Sequence, residues 1–366
     1  MDPLTHSATG LFLGRAGLNR FSEQAPWILV LAANAPDIDI VTLAWGPLNY
    51  LNYHRHLTHS LAAWPVMALL PVLAVRLFTR KPFSWLGAYA ISLVAVASHL
   101  LLDYTNAYGI RLLLPFSGRW FRLDIPSVVD LWIWGVLLMA LAGPLIARLV
   151  NAEIGARTQN AGRGFAIFAL LFLALYNAGR GVLHARALAT LDSRIYAGAA
   201  PQRVAALPAP ANPLAWRGLV ETGEFYSVVD FNLLEEFDPS RGAIFYKAEP
   251  GPAIQAANNS PVFRDFFKFS QFPLERTMPL ADPEGVTRVE ARVQAMDMRF
   301  GTPSQPRFVA TADVNNRLQV TRSWFTFGAV GQALSPAETI RRGNRARRCP
   351  PRPRFLCRGN RSVGLG

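Results

Sequence analysis

Long apolar stretches constrain this chain more than any other feature. Four segments are about as long as a helix must be to cross a bilayer, roughly 17–25 residues, and they cover 61–78, 83–102, 131–150 and 165–183. Only 17% of the 366 residues are charged and 51% are hydrophobic, whereas soluble domains average about 25% charged. We therefore predict a mainly α protein that crosses a membrane several times.

A further apolar segment, 26–45, is interrupted at its centre by Asn34, Pro36, Asp37 and Asp39. Ionisable groups in contact with lipid are costly, and so are backbone groups that lose their hydrogen bonds there. We predict a broken or re-entrant element that lines a polar cavity. The predicted fold is a polytopic transmembrane helical bundle of four to five spans, one of them broken.

The composition changes near residue 200, where four prolines lie within thirteen positions, and alternating apolar residues follow. Such alternation between turn signals is typical of strands. We predict strands within 226–232, 243–247, 286–300, 307–312 and 318–327, and a short helix within 261–272. Together they form an extramembrane C-terminal domain of the α+β or β class.

These patterns divide the chain into four parts. A transmembrane helical domain that carries the polar site covers 1–190, a Pro-rich linker covers 191–215, a soluble domain covers 216–335, and a disordered Arg-rich tail covers 336–366. The last 26 residues contain nine arginines and no acidic residue, so the tail accounts for most of the net charge of +13. A basic tail of this kind is weak support for a folded nucleic-acid surface, and no nucleic-acid partner is expected.

Histidines cluster directly before the first long apolar segment. His54, His56 and His59 lie within six positions, and His99 and Asp103 lie four residues apart near the end of the second segment. Residues at i and i+4 share one face of a helix, and neutral imidazole is the commonest metal ligand among side chains. Both cysteines lie in the tail, so a metal in the body has only nitrogen and oxygen ligands.

The candidate residues follow from this inventory. The expected metal ligands are His54, His56, His59, His99, Asp103 and His6. The expected catalytic residues are Asp37, Asp39 and Asn106. Thr58 and Ser60 are expected to hydrogen-bond the ligands.

A divalent metal, expected to be zinc, would lower the pKa of bound water to near 7 and provide hydroxide at neutral pH. Metal-bound hydroxide favours a membrane-bound hydrolase, and the location of the site at the membrane surface favours an ester or phosphoester of a lipid-like substrate. Two alternatives stay open: a non-enzymatic membrane metal sensor or carrier, and a protein-interaction scaffold that uses the C-terminal domain. Asp37 and Asp39 are equally compatible with capping a broken helix.

Basic residues indicate the orientation in the membrane. Arg76, Arg80 and Lys81 lie between the first two long segments, and Arg148, Arg157 and Arg163 lie between the last two. The positive-inside rule places both loops in the cytoplasm. The histidine cluster, the end of the second segment and the C-terminal domain are then expected on the outer side.

Four short stretches of the N-terminal half resemble the YdjM-like family of bacterial inner-membrane proteins. The matching stretches are Asp2–His6, Asn34–Asp39, Tyr53–Ser60 and Ser98–Asp103, followed by Asn106, Tyr108 and Gly109. The resemblance covers about residues 1–185, and the stretches 269–273 and 297–300 are similar to the extension of longer members. It implies a multi-pass protein of the bacterial inner membrane and a metal-dependent hydrolase as the class of activity.

Overall fold

The computed structural model describes residues 1–79, 82, 84–153, 161–279 and 291–327. The predicted disordered tail, 336–366, lies outside the described residues. The helices are α1 (Pro3–Ala16), α2 (Ala25–Ala32), α3 (Pro47–Tyr53), α4 (Trp64–Phe78), α5 (Trp85–Thr105), α6 (Leu131–Glu153), α7 (Ala161–Asp192), α8 (Pro252–Asn258) and α9 (Pro261–Phe269). The strands are β1 (Arg203–Pro208), β2 (Ala215–Glu221), β3 (Phe225–Asn232), β4 (Ala243–Tyr246), β5 (Pro273–Pro279), β6 (Ala291–Asp297), β7 (Val309–Val314) and β8 (Val320–Thr326).

Among the described residues, three helices are long and apolar enough to cross a membrane, namely α5, α6 and α7. Two bent helix pairs raise the number of candidate spans to five. The first pair joins α2 to a 3-10 helix over Ala35–Trp45 at an angle of 48°, which is the predicted broken element. A polytopic, mainly helical membrane domain is therefore confirmed.

The segment predicted as a continuous span over 61–78 has a different form. Its helix, α4, begins only at Trp64 and contains 15 residues, too few to cross a bilayer of about 30 Å at 1.5 Å per residue. It reaches the necessary length only together with Pro47–His59, to which it is joined at 90°. The two pieces are separated by residues 60–63, where the Ser60 hydroxyl accepts a hydrogen bond from the Ala63 backbone N–H at 3.1 Å.

Helix α1 lies inside the helical domain and contacts α2, α5, α6 and α7. Asp2 caps it by accepting hydrogen bonds from the backbone N–H groups of Leu4 and Thr5, and Pro3 suits the first turn because no N–H partner is needed there. Gly10 lets α2 approach closely, since a Cβ at this position would lie 2.5 Å from the carbonyl oxygen of Leu29. This packing buries His6 completely.

The C-terminal domain contains two antiparallel four-stranded sheets, ordered β1-β2-β3-β4 and β5-β6-β7-β8. The predicted strands correspond to β3, β4, β6, β7 and β8, and the predicted helix corresponds to α9. Strand β1 and the first residue of β2 lie within 191–215, the stretch predicted as a Pro-rich linker. Apolar side chains of 203–208 are buried against the end of α7, where Leu191 meets Trp216, and this burial turns a Pro-rich stretch into sheet.

The second sheet is attached to the loop that follows α5. The Arg299 guanidinium forms a buried ion pair with Asp297 at 2.7 Å, and its Nη1 donates to the carbonyl oxygen of Ala107 at 3.1 Å. Nearby, the Trp120 indole N–H donates to the carbonyl oxygen of Lys268 at 2.9 Å. The C-terminal domain therefore lies against the end of the bundle where α5 terminates.

We expect Arg299→Ala to destabilise the protein by about 3–5 kcal/mol, because removing one partner leaves the Asp297 carboxylate buried without its counter-charge. The matched control is Arg217→Ala, which removes a pair with Asp230 on an exposed sheet surface and should cost about 0–1 kcal/mol. Melting temperatures of the detergent-solubilised proteins measure the difference. Equal shifts for the two variants would contradict the anchoring role of Arg299.

Candidate metal centre

The break between α2 and the following 3-10 helix directs two carboxylates into the bundle. The Asn34 side-chain amide donates to the carbonyl oxygen of Val30 and to the Ser7 hydroxyl, at 2.8 and 3.0 Å, and so fixes the chain where α2 ends. Asp37 and Asp39 follow in the first turns of the 3-10 helix. Asp39 is buried, while the Asp37 side chain remains 19% exposed.

The histidine-rich motif folds around Asp39. His54 Nδ1 lies 2.7 Å from Asp39 Oδ1, while Asp39 Oδ2 accepts from the Arg55 backbone N–H at 2.9 Å and from the Thr58 hydroxyl at 2.7 Å. Arg55 has a φ of 56°, the left-handed conformation that bulky side chains rarely adopt. This turn reverses the chain between His54 and His59, so that both rings approach the same carboxylate.

His59 and His99 both direct Nε2 to the centre of the site. His99 Nδ1 lies 2.7 Å from the carbonyl oxygen of Ala33, to which it donates a hydrogen bond. His59 Nδ1 lies 3.0 Å from the Thr58 hydroxyl and 3.3 Å from Asp39 Oδ2. A proton held on Nδ1 leaves the lone pair on Nε2, which is the arrangement of a metal-binding histidine and its supporting partner.

Four side-chain atoms surround one point at spacings that suit a metal ion. His59 Nε2 and His99 Nε2 are 3.1 Å apart. Asp37 Oδ1 lies 3.4 and 3.7 Å from these two nitrogens, and Asp103 Oδ2 lies 3.4 and 3.5 Å from them. A tetrahedral metal with bonds of roughly 2.0–2.2 Å separates its ligand atoms by about 3.3–3.6 Å. This buried group can therefore hold a metal ion.

The Asp103 carboxylate also indicates that a cation binds here. Its Oδ2 is buried and accepts no hydrogen bond from the described residues, although a buried polar atom without a partner is costly. Its Oδ1 is occupied by Arg55 Nη2 at 3.0 Å and by the amino group of Met1. When both histidines carry their proton on Nδ1, the two Nε2 lone pairs face one another at 3.1 Å, and a cation between them and Oδ2 would satisfy all three atoms.

A second group shares one carboxylate with the first. Asp37, Asp39 and His54 each offer a ligand atom, and the three atoms lie within 4.8 Å of one another. Asp37 thus belongs to both groups. Six predicted site residues are brought together in this way: Asp37, Asp39, His54, His59, His99 and Asp103.

Two predicted ligands lie outside both groups. His56 is half-buried and has its ring against Tyr53, with centroids 6.2 Å apart. His6 is stacked on His99 at 3.9 Å, and its Nε2 lies 3.3 Å from Asp103 Oδ1, so it borders the site. Burial, with His99 alongside, holds the pKa of His6 well below its ordinary value, which keeps the ring neutral.

Arg55 is a functional residue that the sequence reasoning missed. It is 4% exposed, lies within hydrogen-bond reach of Asp103, and donates from Nη1 to Asn106 Oδ1 at 3.1 Å. Asn106 in turn donates to Asp103 Oδ1 and accepts from the backbone N–H of Tyr108. Asn106, expected as a catalytic residue, is therefore placed where it holds Asp103 and Arg55. The sequence offered one signal for this role, because Arg55 lies between His54 and His56 in the motif.

The C-terminal domain covers the side of the site formed by Tyr108. Arg55 stacks on the Tyr108 ring at 4.8 Å, and that ring contacts Phe269 of α9 and Phe300, which follows β6, at 5.2 and 5.9 Å. In addition, Asn52 of α3 donates to Asp265 of α9 at 2.9 Å. The two domains thus meet at the polar site rather than at a distance from it.

Comparison with known proteins agrees with this arrangement. An uncharacterized protein, YfhP of Bacillus subtilis (strain 168), is 32% identical over 153 residues, which cover 39% of this chain and 46% of YfhP. The match therefore spans less than half of that relative. No solved structure matches the chain. The family profile described as YdjM inner membrane protein matches residues 1–187, the part that contains every residue of the candidate metal centre, and the chain belongs to this family.

Proposed function

We propose that this protein is a membrane-bound metal-dependent hydrolase that cleaves an ester or phosphoester of a lipid-like substrate. The observation that carries the proposal is the set of four ligand atoms within 4.8 Å of one another, with Asp103 Oδ2 accepting no hydrogen bond from any described residue. Zinc is the proposed metal, because nitrogen and oxygen ligands in tetrahedral arrangement suit it. Bound there, it would lower the pKa of a coordinated water to near 7.

The chain's own residues prepare the site for this reaction. The Ala33 carbonyl and the Thr58 hydroxyl hold the two imidazoles with Nε2 directed inward. Arg55 and Asn106 hold Asp103. Asp37 is the most accessible of the four ligands, so water and substrate are expected to approach from its side. Asp37 and Asp39 are the proposed acceptors of the proton that attacking water loses.

The surface around Asp37 supports a lipid-like substrate. Ile38, Ile40 and Val41 lie on the same 3-10 helix and are each more than half exposed. Apolar side chains exposed beside a polar site are expected where the site opens to the membrane rather than to bulk water. An amphiphilic molecule could then place its polar group at the metal while its chains remain in lipid.

One observation favours a non-enzymatic metal sensor or carrier as the second candidate. Four protein ligands around one point form a closed coordination sphere, which is typical of structural zinc, whereas catalytic zinc usually has three protein ligands and one open position. Activity would therefore require Asp37 to yield one coordination position to water. Hydrolysis of a substrate distinguishes the two functions, because a sensor or carrier would bind metal without catalysing a reaction.

Metal content tests the centre itself. We expect the purified protein to hold a divalent metal, and His99→Ala to lose it, because that ring supplies one of four ligand atoms. His56→Ala is the matched control, since this histidine lies two residues from His54 yet outside both groups. Elemental mass spectrometry after dialysis measures metal per chain. Equal losses in His56→Ala and His99→Ala would contradict the assignment.

Turnover tests the reaction class. We expect the metal-loaded protein to hydrolyse at least one member of a panel of chromogenic lipid esters and phosphoesters, and Asp37→Asn to reduce the rate by at least about 100-fold, as for loss of a general base. Stoichiometric metal without hydrolysis of any panel member would favour the sensor. Equal rates for Asp37→Asn and wild type would indicate a contaminating enzyme.

Orientation is tested separately. We propose that the site and the C-terminal domain face the outside. The basic residues Arg76 and Arg148 lie toward the ends of α4 and α6, and Arg163 lies at the start of α7, where the positive-inside rule favours the cytoplasm. A periplasmic phosphatase reporter fused after residue 240 should be active in a bacterial host, and one fused after residue 81 should be inactive. The reverse pattern would place the site in the cytoplasm.

A further inference from the structure

We propose that the centre binds two metal ions, and that Asp37 bridges them. The inference rests on the proposed metal centre and goes beyond it by adding a second site, formed by Asp37, Asp39 and His54. The first observation is that the two groups of ligand atoms share a residue. A carboxylate has two oxygens and can contribute one to each of two metals.

Asp37 is suited to the bridging position. Its Oδ1 faces both His59 Nε2 and His99 Nε2, at 3.4 and 3.7 Å, so one oxygen is committed to the first site. Asp37 also offers a ligand atom to the second group, and a carboxylate has a second oxygen for that purpose. Asp37 is also the most exposed member of the centre, so water can approach the pair of metals from its side.

Asp39 and His54 complete the second site. Asp39 Oδ2 is held by the Arg55 backbone N–H and by the Thr58 hydroxyl, which fixes the orientation of the carboxylate. Asp39 Oδ1 contacts His54 Nδ1 at 2.7 Å and retains a second lone pair. Neighbouring ligands of an octahedral metal with bonds of roughly 2.1 Å are about 3 Å apart, so only a small adjustment converts this pair into two ligands.

The His54 ring is fixed in the position that this requires. It stacks on Tyr50, with centroids 4.4 Å apart, and meets the edge of Tyr108 at 5.7 Å. Its ring lies 6.0 Å from that of His59, which is close enough for the two imidazoles to serve adjacent metals. Paired metals in hydrolases lie about 3.5–4 Å apart.

The charges in the site are consistent with two cations in the presence of an anionic substrate. The centre contains three carboxylates, of which Asp103 lies 3.0 Å from the Arg55 guanidinium, so one divalent ion already offsets the excess negative charge. A second divalent ion would give the centre a net positive charge. The negative charges of a hydroxide and a phosphoester would balance it. Of the two ester classes proposed, the phosphoester is therefore the one that this centre favours, since two-metal sites stabilise both the attacking and the leaving oxygen.

Metal stoichiometry tests the proposal. The full chain in detergent is loaded with Mn²⁺, dialysed and analysed for metal. We expect about two equivalents in wild type and in His56→Ala, and about one in His54→Ala. One equivalent in wild type, unchanged in His54→Ala, would overturn the second site and leave the proposed function intact. No bound metal in wild type would overturn the proposed function as well.

A second test uses the wild-type protein, so that its result does not depend on whether a variant folds. Two Mn²⁺ ions about 3.5–4 Å apart are magnetically coupled, so the electron paramagnetic resonance spectrum of the loaded wild-type protein should depart from the six-line pattern of isolated Mn²⁺. The six-line pattern at half loading and at full loading alike would contradict a bridged pair. A coupled spectrum that His54→Ala converts to six lines supports it.

Discussion

The arrangement of this protein depends on compensating three carboxylates at the end of an apolar helical bundle. Asp37 lies 3.4 Å from His59 Nε2. Asp39 accepts hydrogen bonds from the Arg55 backbone N–H and the Thr58 hydroxyl, and Asp103 contacts Arg55 and the amino group of Met1. Because an unpaired buried charge is far costlier than an unpaired neutral group, these contacts dictate the path of the chain. The bent helix pairs and the left-handed turn at Arg55 are consequences of bringing partners to these charges.

The same requirement explains why the site joins both domains. Arg55 stacks on Tyr108, and Tyr108 packs against Phe269 and Phe300 of the C-terminal domain. An aromatic layer of this kind excludes water from one side of the polar residues and strengthens the electrostatic interactions within the site. The opposite side, at Asp37, adjoins the exposed apolar side chains of the 3-10 helix. The site is thus covered by protein on one face, and on the other it lies beside exposed apolar side chains.

Much of the site was predictable from local pattern. The i,i+4 spacing of His99 and Asp103 placed both on one helical face, and α5 has them buried together. The grouping within the motif was not predictable, because the same spacing permits His56 and His59 to share a face if the segment is helical. The turn at Arg55 replaces that helix, and it brings His54 to Asp39 while leaving His56 beside Tyr53. Likewise, β1 forms in a Pro-rich stretch only because α7 and β2 bury it.

The amino-acid sequence by itself determined a helical membrane domain, a C-terminal domain rich in strands, and a set of histidines and aspartates expected to act together. Apolar length and periodicity carry this information, since each depends on neighbours along the chain. Tertiary structure alone decided which residues meet: Asp37 with His59, His99 and Asp103, and Arg55 with Asp103. Those contacts join segments tens of residues apart, and their geometry depends on the bend after α2, the left-handed residue and the close approach of α1, none of which a local pattern encodes.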